Sequence, residues 1–205
     1  VIALSTDKAC NPTNLYGATK LASDKLFTSV NDYNNTSTKF SVVRYGNVAN
    51  SRGSIIPFFI DLRKKSNSYF PITDKEMNRF FIEINEAVDF VSNILEIMEG
   101  GEIFVKKLSS VKIIDIARII DPSKKIKFIG IRPGEKINEI MISEDDSRNT
   151  LEYKDHYRII PQIKFKNYQN KKGGKPVAKK FQYRSDNNIN WISDENLKKL
   201  IGKYK

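Results

Sequence analysis

Short β-branched, apolar runs alternate with amphipathic helical segments through the first two thirds of this 205-residue chain, and that alternation constrains the fold most strongly. The strand-like runs are residues 1–5, FSVVRYG (40–46), FFIEI (80–84), EIFVKK (102–107) and KIKFIGI (125–131). Helical spacing runs from Leu15 to about Asn31, where Leu15, Ala18, Ala22 and Leu26 recur and Asn14 is the N-cap candidate. Further helices are expected at 54–65, 86–98, 111–120 and 135–142, the second of them ended by Gly100-Gly101. A strand that hands over to a helix and then to another strand needs a crossover, so the expected class is α/β with a largely parallel sheet. Residues 66–78 read as a polar loop with one short strand, residues 161–190 lack periodicity, and a last short helix follows Ser193.

Composition removes several classes. No apolar run approaches the roughly 18–20 residues that span a bilayer. The single Cys10 excludes an internal disulfide and suits a reducing, cytoplasmic setting, and with one histidine, His156, no Cys- or His-based metal site is expected. The opening VIALSTDK has neither a basic n-region nor a cleavage site, and it reads as a strand entered part-way. The chain is therefore expected to be a piece of a longer one that lacks an N-terminal part. The net charge of +11 raises nucleic acid as a partner. Eight basic residues and no acidic ones fall between Lys164 and Arg184 (Lys164, Lys166, Lys171, Lys172, Lys175, Lys179, Lys180, Arg184), and removing them leaves +3 on the other 184 residues. The body is close to balanced, so the stretch reads as a solvated loop and no nucleic-acid or membrane partner is expected.

Chemistry concentrates near the start. In Tyr16-Gly17-Ala18-Thr19-Lys20 a tyrosine and a lysine spaced by four share one helix face. An ammonium beside a phenol favours the phenolate, which makes such a pair a proton-transfer unit for alcohol oxidation with a nicotinamide. Alone, Tyr-x-x-x-Lys is a weak pattern and reads as an ordinary helix surface. Its context is a buried strand ending in Ser5-Thr6-Asp7-Lys8, followed by a short loop into the helix. Ligands of open α/β sheets bind at the carboxyl ends of strands. Thr6, Asp7 and Lys8 add a hydroxyl, a carboxylate and an amine to the phenol, enough for more than one proton transfer. The plain alternative for Asp7-Lys8 is a solvated turn pair.

The strings STDKACNPTNLYGATK, VVRYGNVANSRGSIIPFF, GEIFVKK and IGIRPGEKINEIMISEDDSRNT occur in that order. With them the chain resembles the extended short-chain dehydrogenase/reductases that act on UDP-sugars. Within these it looks most like the inverting UDP-N-acetylglucosamine 4,6-dehydratases of pseudaminic acid or surface polysaccharide synthesis. The resemblance runs from residue 1 to about Pro161 and resumes weakly at YRSDNNINW (183–191). Retaining dehydratases and some epimerases look similar across STDKA and SRGS but often carry Met where Tyr16 stands.

The resemblance implies a fold and a set of roles. The fold is the C-terminal half of a Rossmann-type doubly wound parallel sheet with a smaller α/β substrate-binding domain. Residues 1–50 and 80–105 belong to the former, residues 51–79 and 106–205 to the latter. Thr6, Tyr16 and Lys20 match the Ser/Thr-Tyr-Lys catalytic set, and Asp7 and Lys8 match the acid/base pair of the dehydratases. Tyr16, Lys20, Tyr45, Gly46 and Asn47 match the nicotinamide-side residues. Asn47, Ser51, Arg52 and Ser54 match the segment over the nucleotide-sugar. Arg79 and Arg132 match diphosphate-binding arginines, and Glu135 matches the acid that takes the uridine ribose hydroxyls. Guanidinium forks suit phosphate oxygens and a carboxylate suits a diol, although each arginine alone reads as a surface residue. The implied cofactor is NADP, with NAD as the alternative; the implied partners are a UDP-sugar and further copies of the chain. No Gly-rich phosphate loop occurs in the sequence, so the first half of the dinucleotide fold is expected to be absent. A retaining 4,6-dehydratase, a UDP-sugar epimerase, a basic nucleic-acid-binding module and an inactive fragment are the competing readings.

Overall fold

A computed structural model describes residues 1–33, 37–66, 68–161 and 173–203. Along the chain the elements are β1 (Ile2–Thr6), α1 (Leu15–Tyr33), β2 (Ser41–Tyr45), β3 (Asn47–Val48), α2 (Ile55–Arg63), β4 (Phe70–Ile72), β5 (Asn78–Ile82) and α3 (Ile84–Ile97). They continue with β6 (Ile103–Lys106), β7 (Ser109–Lys112), α4 (Ile113–Ile120), β8 (Ile126–Phe128), β9 (Ile140–Ile142) and α5 (Glu144–Ser147). The last are β10 (Thr150–Glu152), β11 (His156–Ile159), β12 (Lys175–Pro176), β13 (Tyr183–Arg184) and α6 (Asp194–Gly202). Among the described residues no helix is long and apolar enough to cross a membrane.

The chain divides into two compact units. The first comprises Val1–Gly46, Asn85–Lys107 and Ile140–Arg184. Its sheet has the order β1-β2-β6-β11-β10-β12. The β1-β2-β6 core is parallel, as the alternation requires, and β11, β10 and β12 extend it antiparallel. Val43, Phe104 and the α3 residues Phe90 and Ile94 pack together on one face. The second unit comprises Asn47–Ile84, Leu108–Glu139 and Ser185–Lys205. Its core joins Ile56 and Phe59 of α2, Phe70 of β4, Ile116 of α4 and Leu197 of α6, with the Phe59 and Phe70 rings 4.7 Å apart. The sequence-based boundaries group the chain otherwise at one place, assigning everything after residue 105 to the second domain. In the structure 140–184 returns to the first unit, because β11 continues the parallel sheet beyond β6.

Local structure departs from the sequence reading at three points. Residues 135–142 form no helix: the carbonyls of Lys136 and Ile137 accept hydrogen bonds from Arg79 (2.7 and 2.8 Å), and Asn78 N also donates to Ile137 O. Those acceptors are lost to a helical ladder, and Ile140–Ile142 becomes strand β9, paired with β13. The segment 111–120 begins as strand, since Val111 and Lys112 close β7 against β5, and α4 starts only at Ile113. Helix α1 forms over the expected span, with Asn14 Oδ1 accepting from Gly17 N at 2.9 Å. Its Leu15 and Leu26, however, are 80% and 68% exposed, and the buried face carries Gly17 and Asp24.

His156 is buried on β11. Its ring stacks on Tyr153 at 4.7 Å and lies beside Phe90 and Phe104. Burial lowers its proton affinity below the ordinary imidazole value; the Asp155 carboxylate, 2.9 Å from Nδ1, opposes this, and Arg158 and Lys106 add to it. The unfolded chain therefore binds the His156 proton more readily than the native state does. Native stability is lost as pH falls through the free-imidazole value of about 6.5. Between pH 7 and pH 5 the wild-type melting temperature should drop more than that of His156→Phe. Parallel curves for the two proteins would remove His156 as the cause.

Candidate functional site

The first unit gathers seven of the sequence-selected residues at the carboxyl ends of β1 and β2. The two strands pair in parallel with Thr6 opposite Tyr45, so both chains leave the sheet at one edge. Beyond Thr6 a single 3₁₀ turn, Asp7–Ala9, is capped by the Thr6 side chain, whose Oγ1 accepts from Lys8 N at 3.4 Å. Thr6 Oγ1 donates to Asp7 Oδ1 at 2.8 Å, and Lys8 Nζ donates to the same oxygen at 3.1 Å. Asp7 is fully buried, and its Oδ2 is without a hydrogen-bond partner among the described residues. An unsatisfied carboxylate oxygen held beside an amine and a hydroxyl is the raw material of a proton relay.

Helix α1 is pressed onto that turn. A Cβ on Gly17 would meet Lys8 O at 2.4 Å and Pro12 Cβ at 2.9 Å. Glycine is thus required by close approach, and it seats the helix start against Lys8. The neighbouring Tyr16 is 53% exposed, and one turn on Lys20 Nζ donates to Leu4 O at 3.1 Å. Tyr45, half-buried at the end of β2, is pushed up by burial and by the nearby Tyr16 phenol, which keeps it a neutral donor. Gly46 follows, buried. The residues for which the resemblance implies a nicotinamide leave room for such a role, since the Lys20 ammonium has three donors and one of them is engaged on Leu4 O.

The second unit holds the other candidates. Asn47 opens β3, paired with Phe81 of β5. A loop then turns through Asn50 and Gly53, both left-handed (φ 57° and 77°), leaving Ser51 and Arg52 exposed. Ser54 is the N-cap of α2, but its hydroxyl makes no capping bond. Arg132 and Glu135 close a small turn: Glu135 N donates to Arg132 O at 3.0 Å, Glu135 Oε2 accepts from Thr73 Oγ1 at 3.0 Å, and the Arg132 side chain is exposed. Arg79 behaves differently. It is only 8% exposed, and its guanidinium donates to Asn78 O, Ile137 O and Lys136 O and faces Glu139 at 3.5 Å. It staples residues 136–139 onto β5, with three of its donors taken up by backbone carbonyls. Among the described residues no cluster of His, Cys, Asp and Glu suits a metal ion.

Residues 1–161 match the sequence profile of the family described as "Polysaccharide biosynthesis protein". The chain belongs to that family. It is 50% identical to a Campylobacter jejuni protein named UDP-N-acetylglucosamine 4,6-dehydratase (inverting), over 98% of this chain and 62% of that one. It is 36% identical, over 98% of its own length and 60% of the relative's, to a Rickettsia bellii protein named UDP-glucose 4-epimerase. The crystal structure of Pen from Bacillus thuringiensis superposes with a TM-score of 0.82 at 35% identity, covering 99% of this chain and 61% of that one. The chain thus spans about three fifths of the length of these family members.

The sequence singled out Tyr16 and Lys20 by their spacing but passed over Gly17 between them. A glycine in the first turn of a helix is itself a sign of close approach. In an exposed helix Gly→Ala stabilises by up to about 1 kcal/mol. Here the added methyl meets backbone, so Gly17→Ala should destabilise by about 1–3 kcal/mol in denaturant unfolding. A gain in stability would show that the helix–turn contact yields freely.

Proposed function

We propose that the protein is the catalytic part of a UDP-N-acetylglucosamine 4,6-dehydratase that inverts C5, giving a UDP-4-keto-6-deoxy-L-arabino-hexose for nonulosonic (pseudaminic) acid or surface polysaccharide synthesis. The observation that carries this reading is the Thr6–Asp7–Lys8 cluster beside Tyr16 and Lys20 in one unit. An epimerase needs one proton-transfer pair; eliminating water needs a second acid and base, and Asp7 and Lys8 supply them.

When bound, a nicotinamide dinucleotide, NADP or else NAD, would supply the hydride acceptor for oxidation at C4 and the hydride donor for reduction at C6. Tyr16 takes the C4 hydroxyl proton, and Lys20 holds the phenolate and the cofactor ribose. The C4 ketone acidifies C5–H. Lys8, as free amine, removes that proton, and Asp7, as the acid, protonates the C6 hydroxyl so that water departs. The 3.1 Å contact from Lys8 to Asp7 lets the abstracted proton recharge the acid. Tyr16 then gives up to solvent the proton it took from the C4 hydroxyl, and a solvent-derived proton is delivered to C5 on the opposite face.

Tyr45, Gly46 and Asn47 are assigned to the nicotinamide side, and Asn47, Ser51, Arg52 and Ser54 to the sugar nucleotide. Arg132 is assigned to the diphosphate and Glu135 to the uridine ribose. Arg79 acts here by holding the segment that follows Glu135. The protein is read as cytoplasmic and homo-oligomeric. Of the basic stretch, Lys164, Lys166, Lys171 and Lys172 lie outside the described residues, and no role is assigned to them.

Incubating the full-length protein with UDP-N-acetylglucosamine in heavy water tests the reading. Loss of one water, with deuterium at C5 and an L-arabino ring by NMR, is expected. Unchanged mass with an altered C4 centre would make the protein an epimerase instead. Lys8→Ala should lower kcat by about a hundredfold or more with little change in KM, and an unaltered kcat would end the role of Lys8.

A further inference from the structure

Two buried charges in the first unit have no part in the chemistry above. Asp24 lies on α1, one turn beyond Lys20 and two beyond Tyr16; the spacing of four puts all three on one face of the helix. Its side chain is 1% exposed, and its Oδ2 accepts from Arg44 at 2.9 Å. Arg44 is 3% exposed and sits on β2 immediately before Tyr45. The other arm of its guanidinium donates to Met141 O on β9 at 2.7 Å and lies 3.9 Å from Asp146 on α5. One guanidinium thus joins α1, β2, β9 and α5.

The geometry is poor for stability. Contact is end-on through one nitrogen and one oxygen, and Asp24 Oδ1 and Arg44 Nε find no partner among the described residues. A buried ion pair offsets its desolvation only with good geometry and satisfied lone pairs, and an apolar pair of equal volume is often as stable or more so. What such a pair does supply is a fixed position for the helix face.

We propose that Asp24 and Arg44 are a positioning pair that sets the height and rotation of α1, and so the placement of Tyr16 and Lys20 over the ends of β1 and β2. This rests on the reading of Tyr16 and Lys20 as the proton-transfer pair. The pair fixes the helix two turns past the phenol, while Gly17 fixes its start on the 3₁₀ turn. Between these supports Lys20 reaches Leu4 O.

The test is Asp24→Asn in the full-length protein, with Asp24→Asn/Arg44→Gln as a neutral pair should the single variant fail to fold. Two measurements are made: kinetics per folded molecule, and the crystal structure of the variant. The expected result is a fall in kcat of about tenfold or more, KM for the sugar nucleotide within about threefold, and Lys20 Nζ displaced from Leu4 O. Arg44→Lys, which keeps the charge but loses the fork, should recover part of kcat. The proposal is overturned if kcat is unchanged in a folded variant, whether or not Lys20 moves, or if kcat falls with Lys20 still on Leu4 O. If the wild-type protein leaves UDP-N-acetylglucosamine unchanged, the functional reading fails. The Lys20 displacement still decides whether Asp24 and Arg44 position the helix.

Discussion

Glu102, fully buried at the entry to β6, is the contact on which the first unit depends. Oε2 accepts from Ser41 Oγ and Gly100 N, both at 2.7 Å, and Oε1 accepts from Glu99 N at 3.0 Å and from the Arg158 guanidinium. A carboxylate out of water is tolerated only when its lone pairs are taken up. The partners come from the start of β2, the turn after α3 and the strand β11, so one charge fixes the neighbours of β6 on both sides. Gly100 and Gly101, at φ 102° and 80°, permit the left-handed turn that brings the Gly100 N–H inward. At this point the sheet changes from parallel to antiparallel, and it does so around a paired charge.

With β2 held at its start, its far end is held too. The parallel register carries Thr6 and Tyr45 to the same edge, where strands in such sheets end and loops begin. The 3₁₀ turn, the helix α1 seated on it by Gly17 and the contact from Lys20 to Leu4 follow in sequence within 20 residues. Local chain order therefore assembles the phenol, the amines and the carboxylate. The long-range contacts decide how steadily they are held.

This division explains what the sequence reveals. Elements with one dominant period were legible: α3, ended by two glycines, α6 behind its Ser193 cap, and the β-branched centre of β2. The grouping of residues 6–20 was legible for the same reason, because spacing within one turn or one helix is visible in the string. Residues 135–142 misled because Arg79, nearly 60 positions away, claims their carbonyls. The apolar spacing of α1 found the helix but not its buried face, which is marked by a glycine and an aspartate. Asp24 and Arg44 carry no local signal, since their meeting is made by the β1–α1–β2 crossover and by nothing in either neighbourhood.

The arginines show why residue type alone does not assign a ligand. Arg44, Arg79 and Arg158 are all buried, and each guanidinium is engaged with backbone carbonyls, a carboxylate or both. A fork committed to internal acceptors has to break those bonds before it reaches a phosphate, and breaking them leaves buried carbonyls unsatisfied at about 1–3 kcal/mol each. Arg52 and Arg132 are exposed and carry no such commitment to overcome. In the second unit the arginine of the strand keeps residues 136–139 in place, while Arg52 and Arg132 of its loops stay exposed.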